Sequence, residues 1–188
     1  MLSKINIKTA LLLITSASLL FGCAAKIVRS NVNTPSTLVD ATSRIDVVFV
    51  GSNAQKDAIQ ALGLQVSEQF PQVFFANGFA SEAKSLPLAE IPNSPAEYQK
   101  LFSKAPETAF ILHVRPISSE TSCYGGCVSK FRVQSTLVRS HTGVSVWSGT
   151  IDLPYPTTRW SGYSGVAEDF ANIVVKRLRA DGVINQKQ

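Results

Sequence analysis

The chain has 188 residues, with 45% hydrophobic and 16% charged side chains, 18 basic against 13 acidic residues, and three cysteines. The basic residues are scattered and their excess is small, which argues against a nucleic-acid-binding role. A chain of this size supports one ordinary core and not two.

Residues 1–8 carry Lys4 and Lys8 and no acid, and residues 9–21 are almost wholly apolar or small. A basic stretch before an apolar run of this length, well short of the ~20 residues that span a bilayer, is the pattern of a cleaved export signal. The run ends in Leu20-Phe21-Gly22-Cys23, which resembles the lipobox of bacterial lipoproteins. That resemblance implies cleavage after Gly22 and lipid on the Cys23 sulfur, an anchor that two or more acyl chains make stable. Ala24 in place of aspartate implies, by the sorting rule of such lipoproteins, residence in the outer membrane with the domain facing the periplasm. Without residues 1–22, 16 basic residues stand against 13 acidic ones.

Residues 23–44 are polar and lack periodicity, so they are expected to form a lipidated tether between Cys23 and a globular domain at 45–184, with 185–188 a polar tail. Residues 45–51 form a compact apolar run of strand type. Ser52-x-x-Gln55 offers a capping box, and Ile59, Leu62, Val66 and Phe70 recur at helical spacing, predicting a helix over 53–69 that Pro71 stops. A second strand is expected at 72–77 and a long loop at 78–93. Ser94-Pro95-Ala96-Glu97 then starts a short helix.

Residues 109–117, 130–140 and 144–153 read as strands, the last two joined by the turn at 140–143. Phe131, Val133 and Leu137 alternate with Arg132, Gln134 and Thr136, so one face should be buried and the other wet. Trp147 within its strand is expected in core or sheet packing. Beyond 155–162, Val166, Phe170, Val174 and Leu178 form the stripe of a final helix, acidic at Glu168 and Asp169, basic at Lys176, Arg177 and Arg179, and stopped by Gly182. The elements predict an α+β fold: a single two-layer domain with a mixed sheet of about five strands, two long helices and one short one.

Between strands, Cys123 and Cys127 flank Tyr124-Gly125-Gly126. In an oxidising periplasm, with Cys23 lipidated, these two are left to pair, and a structural disulfide closing a loop tip is the favoured reading. A pair of free thiols, a redox couple and a metal site are the alternatives. The redox reading lacks the two-residue spacing and helix N-terminus that lower a thiol pKa. Zinc needs three or four ligands, and His113 and His141 show no ligand spacing, so no metal or cofactor is expected and both histidines are read as structural or solvated.

From residues 45 to 184 the chain resembles a group of envelope lipoproteins similar to the N-terminal domain of TolB, which includes LpoB, CsgG-like and transport-auxiliary lipoproteins. The resemblance rests on element order, on Val146-Trp147-Ser148-Gly149 and on Leu178-Arg179-Ala180-Asp181-Gly182; the long proline-rich tether of LpoB is missing. No catalytic constellation is evident. If the three strands from 109 onward form a meander, the cysteine loop and residues 154–163 share one end of the sheet. Tyr124, Tyr155, Arg159, Trp160 and Tyr163 would then gather at an edge of the type that dominates binding hot spots. The expected function is a non-enzymatic accessory module, anchored in the membrane through Cys23, that binds another envelope protein. The alternatives are a transport or secretion accessory holding lipid or a small apolar ligand, and a thiol-disulfide enzyme.

Overall fold

The computed structural model describes residues 25–33, 39, 43–51, 56–92, 94–102, 109–123, 127–156 and 165–185. The lipobox and the capping box at 52–55 lie outside them. The elements in chain order are β1 (Lys26–Val32), β2 (Ile45–Val50), α1 (Lys56–Ala76), β3 (Ala83–Leu86), a 3-10 turn (Leu88–Glu90), α2 (Pro95–Leu101), β4 (Phe110–Cys123), β5 (Cys127–Arg139), β6 (Ser145–Pro156) and α3 (Gly165–Ala180). They build a two-layer α+β domain around a six-stranded mixed sheet of order β1-β6-β5-β4-β2-β3.

The β4–β5–β6 meander is antiparallel, whereas β2 runs parallel to both β4 and β3. A strand flanked by parallel neighbours and covered on both faces reads as a continuous apolar run, and every residue of β2 is buried. On one face, α1 and α3 pack against the sheet around Phe49, Phe70, Phe131, Trp147 and Phe170. Phe70 of α1 meets Phe170 of α3 edge-on, with ring centroids 5.0 Å apart. On the other face, α2 and the chain before it cover only part of the sheet, through a smaller cluster of Val48, Val50, Phe102 and Ile111 with Leu86 and Val138 packed against it.

Four expectations are corrected. First, α1 runs through Pro71 to Ala76, so the expected strand at 72–77 is instead the last part of the helix, through Ala76, and the start of the turn after it. The proline removes one helical hydrogen bond and costs roughly 3 kcal/mol. Continuing the helix buries Phe70, Val73 and Phe74, each contributing about 1.5–3 kcal/mol, which outweighs that cost. The helix ends where Asn77 Nδ2 donates to the Val73 carbonyl at 2.7 Å and Gly78 takes a φ of 91°.

Second, the segment expected as a tether contains β1, which pairs antiparallel with β6 from Lys26↔Asp152 to Val32↔Trp147. Its register shifts between Ile27 and Arg29, so the alternation of inward and outward residues breaks and the sequence shows no clean period. Val39 is also buried and bridges to Ile184. Third, the expected loop at 78–93 supplies the edge strand β3. Fourth, β4 and β5 run further than expected, carrying residues 118–122 into the sheet and pairing Cys123 opposite Cys127.

The two later helices follow their sequence signals. Ser94 Oγ caps α2 by accepting from the Glu97 amide at 3.3 Å, with Pro95 in the first turn. α3 buries Val166, Phe170, Val174 and Leu178 and is followed by Gly182 at φ 71°. No helix among the described residues is long and apolar enough to cross a membrane.

Candidate ligand groove

The partial cover over the second face leaves a step in the surface where α2 ends and the bare sheet begins. At that step lies a groove of about 440 Å³, within the size range of small-molecule sites. Cross-strand register builds its floor: Ile111 opposite Val138, His113 opposite Thr136, and Arg115 opposite Gln134. These residues alternate with Leu112, Val114, Val133 and Leu137, which point into the helix-covered core, so the face expected to be wet is the floor of a site. Ser94 and Tyr98 of α2 form one wall with Pro92, and Ser140 and Gly143 of the β5–β6 turn close one end.

Tyr98 and His113 are the groove's central pair. Their rings meet edge-on at 4.7 Å, and the phenol oxygen lies 3.3 Å from Nδ1 of the imidazole. Burial lowers the His113 pKa to about 4, so the ring is neutral at about pH 7, and burial raises that of Tyr98, so the phenol keeps its proton. The pair is therefore an uncharged aromatic surface carrying hydrogen-bonding atoms.

The floor is graded. Ile111 and Val138 make one part apolar, whereas Arg115 and Gln134 are polar and exposed. Gln134 also borders a second depression of about 240 Å³, lined by Arg29, Ser30, Asn31, Ser148, Gly149 and Thr150. Next to it, Asp152 is held by Arg132 Nε at 2.8 Å and Lys130 Nζ at 3.0 Å. Hydrogen bonding from Arg132 lowers the Asp152 pKa to about 2, with Lys130 adding to the effect.

The site residues expected from sequence fall elsewhere. Cys23, Tyr124, Arg159, Trp160 and Tyr163 lie outside the described residues, and for Cys123, Cys127 and Tyr155 only the backbone is described. The backbone does form the meander, with Val128 opposite Pro156 and Ser129 opposite Tyr155, so the cysteine hairpin and the end of β6 share one end of the sheet. His141 is exposed in its turn, and Trp147 is fully buried. Sequence reasoning missed the groove because α2 reaches His113 only through tertiary packing. The available signal was the set His113, Arg115, Gln134 and Thr136 on one face of adjacent strands.

These features define the protein as an α+β domain of open mixed sheet with its two long helices on one face and the short α2 on the other. No protein-family profile matches the chain, and no curated protein sequence matches it. Among solved structures, a PelC dodecamer from Paraburkholderia phytofirmans aligns with a TM-score of 0.51 at 16% identity, covering 86% of this chain and 99% of that one. Lipoprotein GNA1162 from Neisseria meningitidis aligns with a TM-score of 0.42 at 15% identity over 74% of this chain and 99% of that one. A minor lipoprotein from Acinetobacter baumannii gives 0.35 at 12%, over 74% and 97%. The likeness to PelC shows a shared fold.

Proposed function

We propose that the chain is a lipoprotein of the outer membrane, held at the periplasmic face by lipid on Cys23, and that it is a non-enzymatic binding module for another envelope component. The observation that supports this reading is the start of β1 at Lys26, three residues after Cys23. Cleavage before Cys23 would leave every described strand in the chain.

Under this reading the link from Cys23 to Lys26 spans at most ~11 Å, so the domain sits against its membrane. Lys26 pairs with Asp152, which pairs with Arg132, and the β4–β5 hairpin continues from Arg132 back to Cys127, about 16 Å further at strand rise. Anchor, cysteine hairpin and the end of β6 thus share one end. A docking edge of Tyr124, Tyr155, Arg159, Trp160 and Tyr163 would meet partners at the bilayer surface.

The test is metabolic labelling with an alkyne fatty acid, followed by membrane fractionation. Label should appear on the native chain and vanish in Cys23→Ala; an unlabelled native chain in the soluble fraction would defeat the proposal. Docking is tested separately by crosslinking in cells, where Trp160→Ala and Tyr155→Ala should reduce capture of the partner while leaving circular dichroism unchanged. The reading as a carrier or accessory for a small ligand is favoured by one observation, the groove beside Tyr98 and His113.

A further inference from the structure

The groove carries an imbalance of charge that selects among ligands. None of its lining residues among the described ones is a carboxylate, whereas Arg115 contributes a cation; Arg139 also lines it but is engaged elsewhere. Arg115 is exposed and has no hydrogen-bonding or ionic partner among the described residues, unlike Arg132, whose guanidinium is committed to Asp152. Asp152, two residues beyond Thr150 on the same face of β6, already has two cationic partners. A guanidinium is a planar fork of donors suited to an oxyanion, and beside it Gln134 adds an amide donor.

The remainder of the lining is of a different character. Ile111, Val138, Pro92 and the edge-on Tyr98–His113 pair offer flat apolar and aromatic surface, and none of them is charged. At the closed end Ser140 is only 2% exposed, and its Oγ has no hydrogen-bond partner among the described residues. Buried hydroxyls are ordinarily satisfied, so an unpaired one lining a cleft is an available contact for a ligand atom.

We propose that this groove binds a small organic anion with a flat apolar body, its anionic group on Arg115 and Gln134 and its body against Ile111, Val138 and Tyr98. The assignment goes beyond anchoring and docking, and it stands whether or not Cys23 carries lipid.

The test is isothermal titration of 2-naphthoate into the purified full chain in dodecyl maltoside, with variants titrated in the same micelles so that partitioning into detergent cancels. Saturable binding at one site per chain is expected. Arg115→Gln, an exposed position away from the core, should weaken it about tenfold or more, the ordinary cost of losing a charge-assisted hydrogen bond. Tyr98→Ala should weaken it as well, and Phe75→Ala, at a residue 78% exposed that does not line the groove, should leave it unchanged. Equal affinity in Arg115→Gln, loss in Phe75→Ala, or no saturable binding would overturn the assignment. Inorganic phosphate titrated alone should bind far more weakly than 2-naphthoate; equal affinity would show a general anion site and overturn the requirement for an apolar body.

Discussion

The indole of Trp147 lies over Gly149, its neighbour two residues along the same face of β6: a Cβ built on Gly149 would come 2.5 Å from Cη2 and 2.8 Å from Cζ2 of the ring. The ring is fully buried, and its Nε1 donates to Asp181 Oδ2 at 2.8 Å, joining the middle of β6 to the chain just beyond α3. Arg177 closes the same cluster, bonding Asp181 and, at 2.7 Å, the Ser30 hydroxyl of β1. The Val146-Trp147-Ser148-Gly149 motif is thus a packing unit in which the glycine makes room for the tryptophan.

Gly149→Ala should therefore destabilise the domain by about 1–3 kcal/mol through overpacking. Trp147→Phe shortens the ring and removes the atoms nearest position 149, so the double variant should be less destabilised than the sum of the two single changes. Urea unfolding of the four proteins checks this; additivity would show that ring and glycine do not interact.

Pro71→Ala should raise stability. Pro71 sits inside α1 without an amide to donate to the Ser67 carbonyl, and its neighbours Phe70, Val73 and Phe74 hold the helix on the core regardless. Restoring the donor recovers part of the roughly 3 kcal/mol cost of an interior proline, with a gain of about 1 kcal/mol or more expected as a higher Tm. An unchanged or lower Tm would mean that the ring itself contributes packing that alanine loses.

The same proline explains what was legible in the sequence. Taken alone it reads as a stop, yet Ile59, Leu62, Val66, Phe70, Val73 and Phe74 keep helical spacing straight through it, and the length of that stripe decided the outcome. Both helices with undisturbed stripes and caps, α2 and α3, were readable, as was the meander, because one face of each strand is buried. The edge strands were not. β3 is four residues long with its middle exposed, and β1 loses its alternation at Val28, so neither carries a pattern that burial would impose. The groove was half legible: β4 and β5 announce their wet face, whereas the wall supplied by Tyr98 depends on how α2 is laid across it.

Cys123 and Cys127 should form a disulfide under oxidising conditions. Residues directly opposite in an antiparallel ladder have Cα atoms about 4.5–5.5 Å apart, inside the range a disulfide requires, and these two are partners in the β4–β5 register. Mass spectrometry after alkylation without reduction should find neither thiol modified. Replacing both by serine should cost about 2 kcal/mol or less, because a loop this short restricts the unfolded chain little. Two alkylated thiols in protein isolated from an oxidising compartment would reject the bond.

His113 should make stability depend on pH between about 4 and 6.5. Burial against Tyr98 lowers its pKa to about 4 in the folded protein, against about 6.5 in the unfolded chain, so across that window the unfolded state binds more protons. The histidine's contribution is complete above pH 6.5, declines as pH falls, and is lost once the folded-state pKa is passed. At pH 5 the loss amounts to about 2 kcal/mol. His113→Phe keeps an aromatic edge against Tyr98 and has nothing to titrate, so its unfolding free energy should fall less between pH 7 and pH 5 than that of the native protein. The direct measurement is the proton NMR titration of the imidazole, whose signal should still be that of the neutral ring at pH 5; a midpoint near 6.5 would mean that water reaches the ring freely and that the Tyr98 wall of the groove does not close over it.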